Sequence, residues 1–338
     1  MKEKIESKLD DIDVSFLKDK VILVTGGTGS FGKKFTEIIL TKTQARKLII
    51  FSRDELKQSE MAASIKDNRV RFFLGDVRNR ARLERAFKGV DFVVHAAALK
   101  QVPILEYNPF EAVLTNILGT QNVIDAAIDQ GVSRAVFIST DKAVNPINLY
   151  GATKLCAEKL FINGNVYSGD KLARFSIVRY GNVIGSRGSV VPLFLKKKKD
   201  GVLPITHKEM TRFWITLEQG VHLVLNALYG MNGGEIYIPK VPSMKLTDLA
   251  KAIASKCKWE FTGVRPGEKI HEALMTDEEI QRGADIGSCI VIPPISAKNA
   301  KLWTNGGKPL PKNFKYSSDK TQWQLSSEEL LAMVKAVS

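Results

Sequence analysis

The chain of 338 residues is 44% hydrophobic, enough to bury a substantial core, and its length allows a large domain plus a smaller one. Its formal net charge of +14 invites a nucleic-acid partner, yet Lys196-Lys-Lys-Lys199 follows Pro192-Leu-Phe-Leu195 and reads as the solvated face of a helix, and no basic motif with interleaved aromatics is present. Cys156, Cys257 and Cys289 lack CxxC spacing, no apolar run reaches the ~18 residues of a membrane span, and Met1-Lys-Glu-Lys is too charged for a signal peptide. A reduced, cytoplasmic protein with no nucleic-acid or membrane partner and no metal site is the expectation.

Val21-Ile-Leu-Val-Thr25 is a β-branched apolar run leading into Gly26-Gly-Thr-Gly29-Ser-Phe-Gly32 and a helical pattern from Lys33 to about Leu40. This predicts strand, glycine turn and helix. Glycines 26, 29 and 32 allow a tight turn, close approach of backbone to a pyrophosphate and close packing of helix on strand, with the helix N-terminus facing the phosphates. A second strand, Lys47–Phe51, ends at Ser52-Arg53-Asp54-Glu55. Ser52 lies 20 residues beyond Gly32, where an acidic residue would hold the ribose 2′-hydroxyl of NAD. That slot is not acidic; Arg53, with Lys57 one turn later, predicts instead the 2′-phosphate of NADP. Ser52-x-x-Glu55 also reads as a capping box that would start the next helix whatever the cofactor.

Three further strands follow: Arg71–Leu74 ending in Gly75-Asp76-Val77, Asp91–His95 ending in Ala96-Ala97-Ala98, and Ala135–Ser139. Small or polar residues at these C-terminal ends are those expected where a doubly wound parallel sheet meets its ligand. Asp76 and Val77 would lie by an adenine, and the alanines would leave room for the dinucleotide backbone. His95, on an apolar strand, reads as a packed core histidine. Tyr150 and Lys154 stand at i,i+4 on a predicted helix, so the ammonium can lower the phenol's pKa from about 10. After Tyr180-Gly-Asn182 the alternation weakens, and Gly185, Gly188, Pro192 and Pro204 break the chain into short pieces.

TGGTGSFG, FSRDELKQSEMA, GDVR, HAAALKQVP, STDKAVNPINLYGATK, VRYGNVIGSRGSVVP, MTRFW and RPGEK together resemble the inverting UDP-N-acetylglucosamine 4,6-dehydratases, extended short-chain dehydrogenase/reductases that open the pseudaminic acid pathway. The resemblance runs from about Asp19 to Trp323. It implies a Rossmann-like α/β domain over residues 1–182 with a return segment at about 211–243, in which Thr211–Ile215 and the helix Leu217–Tyr229 rejoin the sheet. A smaller, interleaved substrate lobe would take residues 183–210 and 244–338. The resemblance further implies that Thr28, Ser30, Phe31, Lys100, Asn116 and Val183 join the glycines, Tyr150 and Lys154 around NADP. Lys100, Asn182, Arg187, Thr206, Met210, Arg212, Arg265 and Glu268 would line the UDP-sugar site. Arginines 212 and 265 are natural partners for a diphosphate or the uridine ribose. A homo-oligomer, with a hexamer as one form, is implied as well.

Oxidising C4 of the hexose acidifies C5–H; loss of that proton and of the C6 hydroxyl gives an enone, and hydride returned to C6 closes the cycle. The resemblance implies Tyr150 with Lys154 for C4, Lys142 as the base at C5, Asp141 as the acid near O6, and Thr140 near O4. Retaining relatives carry Thr-Asp-Glu where this chain has Thr140-Asp141-Lys142. Lysine is a base only when neutral, so this reading expects its pKa to fall from about 10.4, favoured by burial, Lys154 and a cationic nicotinamide. A C4 epimerase would need Tyr150 but neither Asp141 nor Lys142. A redox-silent NADP-binding scaffold would need no Tyr150/Lys154 pair.

Overall fold

The computed structural model describes residues 13–169, 173–186, 189–295, 297, 304 and 306–335. Its centre is a parallel sheet made of β1 (Val21–Thr25), β2 (Lys47–Ser52), β3 (Val70–Leu74), β4 (Phe92–His95), β5 (Arg134–Thr140) and β6 (Arg174–Tyr180). These lie in the order β3-β2-β1-β4-β5-β6, and β10 (Ile236–Pro239) pairs parallel with the outer side of β6. Every residue of β1 and β4 is buried, because helices cover both faces of the sheet. A strand so covered carries a continuous apolar run instead of alternating. The helix Ser30–Lys42 buries Phe35, Ile38 and Ile39 against the sheet, each contributing about 1.5–3 kcal/mol of transfer free energy.

Further short strands extend this sheet or lie beside it. β14 (Cys289–Ile292) pairs antiparallel with β10, β13 (Ala284–Asp285) with β14, and β15 (Lys308–Pro309) with β13. β7 (Asn182–Val183), β9 (Thr211–Ile215) and β11 (Ser243–Lys245) form a separate three-stranded sheet, and β8 (Val202–Ile205) pairs with β12 (Lys258–Phe261). Thr211–Ile215 therefore does not rejoin the large sheet, contrary to expectation. The edge of β6 is already taken by β10, so the return is made by the helix Leu217–Gly230, which lies on β5 and β6, and by β10 itself. A second apolar cluster, including Phe194, Leu203, Met210, Trp214 and Leu249, sits under these smaller sheets.

Two local features differ from the sequence reading. The helix Glu55–Ser64 is capped by Asp54, whose side chain accepts from Lys57 N at 3.0 Å, and not by Ser52. Ser52 is still in β2, buried, with its Oγ accepting from Thr28 Oγ1 and Gln58 Nε2, each at 3.2 Å. The tetralysine straddles the end of the helix Val190–Lys197, whose apolar side buries Val191 and Phe194 while Lys196, Lys198 and Lys199 are exposed. Among the described residues no helix is long and apolar enough to cross a membrane.

One buried ion network ties three parts together. Arg179 of β6 donates to Glu158 of the helix Leu149–Tyr167 at 2.7 Å, to Glu279 of the helix Asp277–Arg282 at 2.9 Å, and to the Leu274 carbonyl at 3.0 Å. The strand, the helix that bears Tyr150 and the C-terminal segment are thereby fixed to one another.

Candidate active site

The crevice opens where the strand order reverses, between β1 and β4. Gly26 has φ +66°, and a Cβ there would lie 2.9 Å from the Ala97 backbone; at Gly32 a Cβ would lie 2.2 Å from the Gly27 carbonyl oxygen. Neither position admits a side chain. Gly29 is the N-cap of the helix Ser30–Lys42 and no side chain caps it, which leaves the N-terminus able to receive an anion. Ser30 and Phe31 form its first, half-buried turn, with Phe31 stacked on Phe35.

His95 is fully buried, as expected of a core histidine. Thr25 Oγ1 accepts from Ala96 N and Ala97 N, and its hydroxyl donates to His95 Nδ1 at 2.7 Å. His95 Nε2 then donates to Thr120 at 3.1 Å, and Thr120 to the Asn116 carbonyl at 2.6 Å. Burial pushes the imidazole down to about 3, so it stays neutral and sets the loop Ala96–Ala98 by hydrogen bonds alone. Asn116 holds the next residue of this loop, donating to the Leu99 carbonyl at 2.9 Å and accepting from Leu99 N at 2.8 Å. It is therefore a brace for the crevice wall. Lys100 lies beyond it, exposed.

At the end of β2 the Arg53 side chain is 52% exposed and 3.7 Å from Asp76, which also accepts from Arg78. Lys57 is paired with the capping Asp54, so Arg53 is the cation better placed to meet a ligand. Val77 is buried beside Asp76, and Val183 is half-buried in β7.

The catalytic candidates converge after β5. Thr140 ends that strand and caps the tight turn Asp141–Ala143, and the helix Leu149–Tyr167, capped by Asn148, brings Tyr150 onto it. The approach is close because residue 151 is glycine: a Cβ there would lie 2.1 Å from the Lys142 carbonyl oxygen. Asp141 is fully buried; its Oδ1 accepts from Thr140 Oγ1 at 2.9 Å and from Lys142 Nζ at 3.0 Å. Its Oδ2 is buried with no hydrogen-bond partner, near Gly181. Thr140 is also hydrogen-bonded to Tyr150. Thr140, which donates to Asp141, thus stands between Tyr150 and Asp141.

Two expectations about charge are corrected here. Lys154 Nζ donates to the Ile138 carbonyl at 2.6 Å and lies 3.7 Å above the Phe137 ring, and burial pulls it down to about 7. It is Lys142, not Lys154, that pulls the Tyr150 phenol down; burial prevails and pushes it up to about 12. Lys142 itself is pulled down by burial, but Asp141 and Glu272 outweigh this and raise it above the ordinary lysine range, the reverse of the expected fall.

Glu272 escaped the sequence reading. It is 2% exposed, with Oε1 3.4 Å from Lys142 Nζ and Oε2 3.6 Å from Lys269 Nζ. It comes from the segment following Arg265-Pro-Gly-Glu268, which lies across the catalytic turn: Asn148 donates to the Gly267 carbonyl at 2.7 Å and Lys269 to the Val144 carbonyl at 2.6 Å. Arg212 braces the same segment, donating to the Ile270 carbonyl at 3.0 Å and the Lys269 carbonyl at 2.9 Å and pairing with Glu268 at 3.3 Å. Its guanidinium is thus engaged by protein, whereas Arg265 is exposed at the turn. Asn182 Oδ1 is buried without a partner, Thr206 is half-buried and Met210 belongs to the second apolar cluster. Arg187 lies outside the described residues.

The profile of the family described as polysaccharide biosynthesis protein matches residues 22–294. A Campylobacter jejuni protein named UDP-N-acetylglucosamine 4,6-dehydratase (inverting) is 49% identical over 93% of this chain and 97% of its own length. The solved structure of Pen from Bacillus thuringiensis superposes with a TM-score of 0.88 at 39% identity, covering 95% of this chain and 98% of that one. DesIV, a dTDP-glucose 4,6-dehydratase from Streptomyces venezuelae solved with NAD bound, gives 0.67 at 26% identity over 74% of this chain and 86% of its own.

Proposed function

Since the chain belongs to the polysaccharide biosynthesis protein family, and within it groups with the inverting UDP-N-acetylglucosamine 4,6-dehydratases, we propose that it is a hydro-lyase converting UDP-N-acetylglucosamine to UDP-2-acetamido-2,6-dideoxy-β-L-arabino-hex-4-ulose. The observation that carries the reading is the buried Thr140-Asp141-Lys142 turn under Tyr150. The residues fit a nicotinamide dinucleotide, with the uncapped helix N-terminus at Gly29 for its diphosphate and the Gly26 and Ala97 backbones in contact beneath it. When bound, the nicotinamide supplies reversible hydride chemistry at C4 and C6. Arg53 supports NADP, although DesIV was solved with NAD.

The chain's own groups account for the proton movements. Tyr150 takes the O4 proton and passes its own through Thr140 to Asp141, so a phenol raised to about 12 need not ionise in advance. Asp141, now an acid, delivers that proton to the departing O6; its unpartnered Oδ2 supports this role. Lys142, when neutral, takes the C5 proton. Protonating Asp141 removes one of the two carboxylates that hold Lys142 charged, so the first proton transfer favours the second. Lys154 keeps hydrogens beyond the one given to Ile138, and these are assigned to the cofactor. The diphosphate and uridine are assigned to the lobe of residues 183–210 and 244–338, with Arg265 and Asn182 as contacts. On the same reading the enzyme is a cytoplasmic homo-oligomer whose product feeds pseudaminic acid synthesis for surface or flagellin glycosylation.

Incubation with UDP-N-acetylglucosamine in deuterated water tests the proposal. The product should lack one water, carry deuterium at C5 in the L-arabino configuration, and carry at C6 the hydrogen that began at C4. Unchanged mass with an unlabelled C5 would mean a C4 epimerase, an untouched sugar would mean a scaffold, and a D-xylo product would mean a retaining dehydratase.

A further inference from the structure

Lys142 must be neutral to remove the C5 proton, yet it rests as an ammonium between two buried carboxylates. On the proposed dehydratase reading Asp141 is not available to take the ammonium's proton, because it is filled from O4 through Tyr150 and Thr140. A second acceptor is required within reach of Nζ. Glu272 meets that need: it is 2% exposed, its Oε1 is 3.4 Å from Lys142 Nζ, and its Oε2 is buried with no hydrogen-bond partner, so the carboxyl has an oxygen open to a proton.

We propose that Glu272 is the proton acceptor that turns the Lys142 ammonium into the C5 base, a residue acting through Lys142. It takes the ammonium's proton to make Lys142 a base and releases it to solvent when the cycle closes. The cycle balances. At rest Asp141 is an anion, Lys142 a cation and Glu272 an anion. After O4 has lost its proton and Lys142 has passed one on, Asp141 is an acid, Lys142 an amine and Glu272 an acid. Elimination breaks C5–H and C6–O, sending the C5 proton to Lys142 and the Asp141 proton to O6, which leaves as water. When hydride returns to C6, C5 takes a solvent proton on the face opposite Lys142, Glu272 gives its own proton up to solvent, and the resting charges are restored. The other charged groups at the pair are Lys269, 3.6 Å from Oε2, and Arg212, which opposes the charge of Lys142. Both lie on the side of the C-terminal segment.

Glu272→Gln keeps the shape and an oxygen for Lys142 but cannot take a proton. With UDP-N-acetylglucosamine and NADP this variant should still show fluorescence of reduced nicotinamide, with KM within about twofold of the unaltered enzyme. Water loss should be slowed about 100-fold or more, as expected for removing a general acid–base group. Glu272→Asp, with a carboxylate one methylene shorter, should recover at least about tenfold of that rate. Water loss by the glutamine variant near the unaltered rate would overturn the proposal, as would equal damage in both variants. Should Glu272→Gln not fold, Glu272→Asp alone carries the test. It should slow water loss about tenfold with nicotinamide reduction and KM unchanged, and an unaltered rate there would overturn the proposal. If the unaltered enzyme releases no water from this sugar, the dehydratase reading fails, a result separate from failure of the Glu272 role.

Discussion

Replacing Gly151 by alanine tests whether the closeness of the Tyr150 helix to the catalytic turn matters to the chemistry. The new Cβ would lie 2.1 Å from the Lys142 carbonyl oxygen and 3.0 Å from Pro146 Cβ. Ordinary contact begins near 3.5 Å, so the turn and helix must part by about 1.4 Å. Overpacking of this kind costs about 1–3 kcal/mol of stability. A 1 Å misplacement of reacting groups can cost on the order of 100-fold in rate. Gly151→Ala should therefore remain folded at 25 °C with a lowered melting temperature, still bind a nicotinamide dinucleotide through the distant glycine turn, and lose about 100-fold in kcat for water release. Thermal unfolding, cofactor titration and product mass measure the three quantities. A variant with kcat within about threefold of the unaltered enzyme would refute the claim that Tyr150, Thr140 and Asp141 act at the spacing seen here.

Lys142→Ala should retain cofactor binding and reduction of nicotinamide by the sugar, yet release water about 100- to 10,000-fold more slowly, the usual range for a lost acid–base group; near-normal release would shift the C5 base to another residue. Arg53→Ala should narrow the preference for NADP over NAD, measured by paired titrations, and an unchanged preference would deny Arg53 that role. Lys154 is pulled down to about 7 from about 10.4 in the unfolded chain, so between these values the unfolded state binds the extra proton and its contribution makes stability rise with pH. Lys154→Met should remove that part of the rise between pH about 7 and about 9 in urea midpoints; parallel pH curves for the two proteins would contradict it.

The strands could be read because each carries its own apolar run, and the glycine turn because sterics at Gly26 and Gly32 forbid any other residue. Thr140, Asp141, Lys142 and Tyr150 are near in sequence, so local geometry sufficed to bring them together. Glu272 meets Lys142 from 130 positions away, and nothing in Lys269-Ile-His-Glu272 has a local pattern that signals burial. The cap of the second helix was misread because Ser52 and Asp54 are both good caps, and the length of β2 decides between them. The charge of Lys142 escaped for the same reason as Glu272: burial alone lowers a lysine, and the second carboxylate that reverses the sign is supplied only by the folded chain.

The Glu158–Arg179–Glu279 network limits how this fold can be recombined. Two of its members lie in the dinucleotide-binding part and the third in the segment that carries Glu272 toward Lys142. A chimera that takes its C-terminal segment from a relative lacking an acid at position 279 would strand half of Arg179's charge in the interior, and breaking a buried pair in this way costs about 3–5 kcal/mol. Substrate specificity is therefore not a module to be exchanged at a single junction. A graft must carry Arg179, Glu158 and Glu279 as a set, and variants selected for new sugars should change around that triad while leaving it intact.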